Sequence, residues 1–368
     1  MKKMKMKAVF SPAPSYSDPQ VRKVAGWLKV LDIYKQALEE LEMEVFIPKV
    51  PPELVDDRTT VSKILSYDVV ASMMIKEHYD RESIPDLFLG PPGYSLNQML
   101  SLSSHTKKMT YVFNNQDLWR DFQLAEEFKK FNRPYDLSPT WRWINRRALE
   151  LSDCVLSCIP FVTNTHAKVV PKEKIKEAFW GVDSVKFHPK VQEDHPFRIL
   201  FVGGDPIRKG LIYLLEALKE VNFKYELWIV GCGPGMGGHP VLDVSRQFGM
   251  VLHNDMCKIY QECDILVCPT LEDGVSLAVQ ESMSCGLVPI GSPDISEVFV
   301  HDISGYRVNF RDVEAIRYFI KRLHDEPNRL AKMKLEARKL ARIQTWDKTK
   351  EQVKLIINEV MEMRHDEA

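Results

Sequence analysis

The chain reads as an α/β protein made of two Rossmann-like, doubly wound halves that face each other across a cleft. Three observations predict this. Strand-like and helix-like stretches alternate from end to end, as they do in mainly parallel sheets. The alternation starts afresh near residue 197, after an irregular polar stretch (AFWGVDSVKFHPKVQEDHPFR) that reads as a linker over about 181–197. Finally, 368 residues are long for one hydrophobic core, so two units of ordinary size are the default.

In the first half KAVFSP is strand-like, VAGWLKVLDIYKQALEELE carries apolar residues at helical spacing, and MEVFIP is a strand again. YDVVASMM, PDLFLG, KMTYVFN and DCVLSC continue the series as strands to about residue 160, each ending where Pro, Gly, Asn or Ser favours a loop. TWRWINRRALEL reads as a buried helix with its arginines on the wet side, or as a face for an acceptor or a lipid surface. In the second half FRILFVGG is a strand, LIYLLEALKEV a helix, and YELWIVGCGPG a strand entering a glycine-rich loop; CDILVCP, LVPIGS and SGYRVN add further strands. The charged tail is helical with a break around IQTWD, where Thr345 is placed to cap a last helix.

Composition narrows the function. Hydrophobic residues make up 45% and charged residues 27%, a globular balance. Fifty basic against fifty-one acidic residues leave no overall electrostatic footprint for nucleic acid. The seven cysteines are embedded in apolar runs without ligand-like spacing, which suits buried, reduced thiols in a cytoplasmic protein and argues against a zinc site. MKKMKMKAVFSP has a basic start but no apolar core, so it is not read as a signal peptide. Its lysines leave open a peripheral contact with an anionic membrane surface, and no stretch is apolar enough to span one.

Three loops after strands of the second half carry ligand-compatible chemistry. In FVGGDPIRKG, Arg208 and Lys209 follow paired glycines; two cations after a strand suit a phosphate group, or they start a solvated helix. VGCGPG followed by MGG has the wrong spacing for a dinucleotide fingerprint and reads better as a mobile surface turn. In PTLEDGVSLAVQESMSCGLVP the strand ends at Pro269, Gly274 permits a turn, and SLAVQESMSC is a helix whose front N–H groups can bind an anion. Asp273 is then a helix cap or a ligand group. Glu281, read as two turns into an apolar helix, lies eight residues on, roughly 10 Å along the path. A phosphate at the helix mouth would sit between the two carboxylates, a layout that fits the sugar hydroxyls, diphosphate and ribose hydroxyls of a nucleotide sugar.

That stretch resembles the E-x7-E motif of retaining glycosyltransferases of family 4, which have the two-domain GT-B fold. Pro269, Thr270, Asp273, Gly274, Val275, Ser276, Glu281, Ser282, Met283, Ser284, Cys285, Gly286 and Pro289 fall on the pattern without a gap, with Asp273 in place of the usual first glutamate. FWGVDSVKFHP is similar to the family's inter-domain segment, VGGDPIRKGLIYLLEAL to its phosphate-binding turn, and IYQECDILVCPT and SEVFVHDISGYRV to the segments flanking the motif. Trp346 stands where the last helix crosses back to the first domain. The resemblance covers about 150–350 well and the first 145 residues in outline.

The resemblance implies a first domain over 1–183 on the acceptor side, a donor domain over 184–345, and a crossing helix over 346–368. Arg208 and Lys209, with backbone amides from Gly274 through Val275 and Ser276 to Leu277, would hold the diphosphate; Asp273 would bind hydroxyls of the transferred sugar and Glu281 the ribose. No metal or other cofactor is implied, because fixed cations and a helix terminus take up the leaving-group charge. The chain departs from the pattern at Gly204, where an Arg is common, at SPAPSYSDPQVRKVAGW, which lacks paired glycines, and at Ser276, where a glycine is common. In TYVFNNQD, Asn114 or Asn115 stands where the family places a histidine facing the donor sugar. The expected activity is a metal-independent, retaining hexosyl transfer from a nucleotide sugar to a glycan, lipid-linked or small-molecule acceptor. The alternatives are a nucleotide-sugar epimerase of the same shape and a non-catalytic nucleotide-sugar-binding subunit.

Overall fold

Short, fully buried apolar strands such as LFLG and CVLS can be stable only when both sheet faces are covered, and the chain covers them with helices. The computed structural model describes residues 5–56, 58–79, 83–135, 138–191, 194–232 and 245–363. The first sheet holds β1 (Lys7–Phe10), β2 (Glu44–Phe46), β3 (Leu87–Gly90), β4 (Lys107–Tyr111), β5 (Cys154–Ser157) and β6 (Ile175–Glu177), all parallel, in the order β2-β1-β3-β4-β5-β6. Its helices are α1 (Pro19–Val24), α2 (Leu28–Glu40), α3 (Thr60–His78), α4 (Leu96–Ser101), α5 (Asp117–Lys130), α6 (Pro139–Glu150) and α7 (Pro160–His166).

The second sheet holds β7 (Phe197–Val202), β8 (Tyr225–Val230), β9 (Arg246–Gln247), β10 (Ile265–Cys268), β11 (Val288–Gly291) and β12 (Tyr306–Arg307), parallel again, in the order β12-β11-β10-β7-β8-β9. With it go α8 (Leu211–Leu218), α9 (Met256–Tyr260), α10 (Leu277–Ser284), α11 (Val313–Asp325), α12 (Pro327–Ile343) and α13 (Trp346–Glu362). Both sheets are doubly wound, so each has a switch point with loops at the carboxyl ends of its strands.

Thr345 caps α13 through its side-chain oxygen, which accepts from Lys348 N. The helix does not stay with the second sheet. It buries Val353, Ile357 and Val360 and packs against α2 of the first unit. Thr349 Oγ1 donates to Phe179 O (2.7 Å), Gln352 accepts from Phe179 N (3.0 Å), and Val182 N donates to Gln344 O (2.9 Å). Gly181 sits under this crossing; a Cβ there would collide with the Thr345–Trp346 backbone.

Three sequence expectations change. YDVVASMM is the middle of α3, not a strand. Its adjacent valines favour a strand locally, but Thr59 caps the helix by accepting from Ser62 N (3.0 Å), and Ile64, Tyr67, Asp68, Ala71 and Ile75 form one buried face. The helix expected from Val24 onward is broken: α1 ends at Val24 and α2 begins at Leu28, with a turn at 25–27 lining the cleft. Glu281 is the fifth residue of α10, little more than one turn in. TWRWINRRALEL is a helix with Ile144, Ala148 and Leu149 buried and Arg142, Arg146 and Arg147 outward. The glycine-rich CGPGMGG segment, from 233 on, lies outside the described residues. All seven cysteines are buried, and no described helix is long and apolar enough to cross a membrane.

Candidate active site

The loops at the carboxyl ends of the two sheets face each other around a cleft of about 500 Å³. Its second-sheet wall comes from the loop after β7, which delivers Gly203, Gly204, Arg208 and Lys209, and from the loop after β10, which delivers Asp273, Val275, Ser276 and Leu277. Glu281 reaches the same cleft from α10, and the first sheet contributes Trp27, Phe113 and Asn114. The residues singled out in sequence are thus brought together, with two refinements.

Gly274 does not line the space but makes the seam. A Cβ on it would overlap the carbonyl oxygen of Phe113, so only glycine lets the two loops come this close. Asn115 is also a seam residue: its Nδ2 donates to Asp273 O (2.7 Å) and its N to Glu272 Oε1 (3.3 Å). Asn114 lines the cleft.

The two adjacent acids have different surroundings. Glu272 is fully buried between Arg208 (3.6 Å) and Arg120 of α5 (3.8 Å), and burial outweighs these cations to raise its pKa. Asp273 borders the cleft and pairs with Lys209 and, at 3.4 Å, with Arg208. Burial pushes its carboxyl up, but Lys209, Arg208 and the Gly274 amide together hold it below the ordinary value. Arg208 is further fixed by donating to Glu272 O (2.9 Å). Beneath them Asp294 is wholly buried; its Oδ2 accepts from Asp273 N (2.7 Å) and its Oδ1 has no hydrogen-bond partner among the described residues. Burial first, then the Asp273 and Glu272 charges, push its pKa well above the ordinary aspartate value, which favours its protonated form.

At the other end of the cleft Glu281 accepts from Tyr260 OH (3.0 Å) and from His253 Nε2 (2.6 Å). Lys186 Nζ donates to His253 Nδ1 (3.1 Å), which leaves Nε2 as the protonated nitrogen of a neutral ring. His253 N donates across the seam to Lys23 O (3.0 Å). A recess of about 260 Å³ continues past Glu281 and His253 toward Arg22, Asp32 and Trp346.

Sequence reasoning missed His253, Tyr260 and Asp294. Tyr260 lies within the IYQECDILVCPT segment but was not singled out, and His253 and Asp294 lie in none of the quoted motifs; the role of each is set by its distance in space from Glu281 or Asp273. Overall the cleft offers two cations and the N-terminus of α10 at one point, with a carboxylate on either side. It is suited to a dianionic centre with hydroxylated groups at both ends.

Comparison with known proteins bears on the fold and on the second half of the chain. Residues 196–326 match the family model described as "Glycosyl transferases group 1". An uncharacterized glycosyltransferase of Methanocaldococcus jannaschii is 22% identical over 178 residues, covering 42% of this chain and 45% of its own, so the match spans less than half of that relative. Among solved structures, sucrose-phosphate synthase of Thermosynechococcus elongatus superposes with a TM-score of 0.76 at 15% identity, over 96% of this chain and 99% of that one. HepE of Anabaena, solved in complex with UDP-glucose, gives 0.63 at 12% identity over 96% and 99%. The chain has the GT-B fold, and its second half carries the group 1 glycosyltransferase pattern.

Proposed function

We propose that the protein is a retaining glycosyltransferase that takes a sugar from a nucleoside-diphosphate sugar and passes it to a hydroxyl acceptor without needing a metal. The observation that carries this reading is the convergence, in one cleft, of Arg208, Lys209 and the start of α10 between Asp273 and Glu281. The diphosphate lies against the two cations and the α10 amides, where developing leaving-group charge is stabilised by fixed donors. Glu281, oriented by Tyr260 and His253, accepts from the ribose hydroxyls, and Asp273 with Asn114 orients the transferred sugar. Val230, Val251 and Met256 offer the base an apolar floor. The group 1 match over the donor side and the UDP-glucose held by HepE support a nucleotide sugar, and make UDP-glucose the first donor to try.

In the step itself the acceptor oxygen bonds to the anomeric carbon as the bond from that carbon to the diphosphate oxygen breaks. The acceptor's proton passes to the departing phosphate on the same face, so no enzymic nucleophile is needed and configuration is retained. Buried free thiols and a nucleotide-sugar donor support a cytoplasmic setting for the reaction, with any membrane contact peripheral. A thermal-shift panel of nucleoside diphosphates and their sugars tests the donor side, since a bound ligand stabilises by mass action. Lys209→Ala should weaken the best binder by about 1.5–3 kcal/mol, the range of charged hydrogen bonds. Unchanged affinity by calorimetry would remove Lys209 from the phosphate site, and full activity with excess chelator present is expected.

A further inference from the structure

A second cavity, of about 220 Å³, lies entirely against the first unit and adjoins the cleft. The two spaces share Trp27, Phe113 and Asn114, so a group in one lies beside a sugar in the other. Part of its wall is aromatic. Trp141 packs over Gly93, where a Cβ would meet the indole, and contacts Tyr94 edge to face at 5.8 Å; Trp27 meets Phe113 at 6.3 Å.

The rest of the wall is polar, and its hydrogen bonds are incompletely used. Asn145 Nδ2 donates to Asp117 Oδ2 (2.9 Å), leaving the amide oxygen and the second carboxylate oxygen for other partners. The Tyr111 hydroxyl is buried and makes no well-formed hydrogen bond among the described residues. His166 is 4% exposed, and its Nδ1 donates to Val162 O (3.0 Å). Burial pushes its pKa down to about 4, so at neutral pH the ring, which lines the cavity, is uncharged and Nε2 is its lone-pair acceptor. The cations at the rim already have counter-charges: Arg146 pairs with Glu150 (2.9 Å) and Arg120 with Glu272 (3.8 Å). The cavity therefore has no surplus positive charge for a phosphate or a carboxylate.

Aromatic faces with an edge of unused acceptors and one hydroxyl match a ring that is apolar above and below and hydroxylated at its edge. We infer that this cavity is the acceptor subsite and takes a single uncharged hexose-sized ring, with His166 accepting from one of its hydroxyls. The inference rests on the transferase reading above. His166 is a binding residue for the acceptor and does not take the proton in the transfer.

Methyl glycosides of glucose, galactose and mannose are the probes, titrated by tryptophan fluorescence with nucleoside diphosphate present, because Trp27 and Trp141 line the cavity. At least one should quench saturably. His166→Asn keeps a donor near Nδ1 and removes the Nε2 acceptor, and should weaken that glycoside about tenfold, the size of one buried hydrogen bond. His166→Gln, which restores an acceptor near Nε2, should recover most of the loss. Nucleoside diphosphate affinity should stay within about twofold in both variants. If His166→Asn does not fold, Trp141→Phe serves instead, with glycoside binding read by calorimetry, and should weaken the glycoside about tenfold; unchanged affinity would overturn the inference. Three results overturn the inference: no saturable quenching by any methyl glycoside, hexose 6-phosphates binding about tenfold tighter than the glycosides, or an unchanged glycoside affinity in His166→Asn. Failure of every nucleotide to bind would instead sink the donor reading, which the glycoside titration without nucleotide separates from this one.

Discussion

Asp273→Asn is the substitution that best tests how the cleft is wired. The carboxylate engages Lys209 and Arg208, the two cations assigned to the diphosphate, so a donor must compete with it for them. Two unit charges about 6–8 Å apart at an effective dielectric near 20 repel by roughly 2–3 kcal/mol, the penalty a phosphate meets beside Asp273. Part of that is already spent, because an Asn oxygen still accepts from Lys209. The net expectation is that Asp273→Asn binds the free nucleoside diphosphate tighter by about 1–2 kcal/mol, roughly 5–30-fold. Transfer should fall by about 100-fold, since the sugar loses a charged orienting partner. The seam should survive, because Asp273 bonds to Asp294 and Asn115 through its backbone, and Arg208 keeps Glu272. The assay is calorimetry with UDP at fixed ionic strength beside initial rates with the nucleotide sugar. A drop in nucleotide affinity of about tenfold or more would refute the reasoning. It would mean that Asp273 positions Lys209 for the phosphate instead of competing with it.

Glu281→Gln should weaken nucleotide and nucleotide sugar alike by about 1–3 kcal/mol, because ribose is common to both; equal affinity in variant and wild type, measured by calorimetry, would detach Glu281 from the ligand. Gly274→Ala should drive the loop after β10 away from the Phe113 carbonyl, costing about 1–3 kcal/mol of stability in denaturant unfolding and most of the activity; an unchanged midpoint would show that the seam yields easily. Asp294→Asn should be stabilising, and increasingly so as pH rises. The raised pKa means the folded state keeps a proton that the unfolded chain releases near pH 4, so wild-type stability is lost from that point upward toward the folded pKa, while Asn does not titrate. Melting curves between pH 4 and 7 with a constant gap between variant and wild type would contradict this.

What the sequence disclosed was local. The loop after β10 could be read because its strand end, turn glycine, helix and second acid follow one another within 21 residues, and Thr345 as a cap because capping acts over three residues. What stayed hidden depends on residues far apart in the chain. Asn114 and Asn115 are equivalent by sequence; they are distinguished by Asp273 O, 158 positions away, which takes the Asn115 amide and leaves Asn114 at the cleft. The strand expected at YDVVASMM fails for the same reason, since the buried face of α3 is set partly by Asp68 accepting from the amides of Asn97 and Gln98.

The pair Glu272–Asp273 shows how far this goes. Adjacent acids at the mouth of a helix have the same local propensities, and nothing in their flanks says which one supports the fold. The decision comes from α5, which brings Arg120 to within 3.8 Å of Glu272 from the other sheet's unit, and from Asn115 N, which donates to the same carboxylate. Those contacts exclude water from Glu272 and make it part of the seam. Asp273, one residue on, is turned toward the cleft with Lys209 as its partner. If the two units separated, Glu272 would lose both contacts from the first unit while Asp273 kept Lys209, so the acid that holds the halves together and the acid offered to a ligand are specified by the same closure.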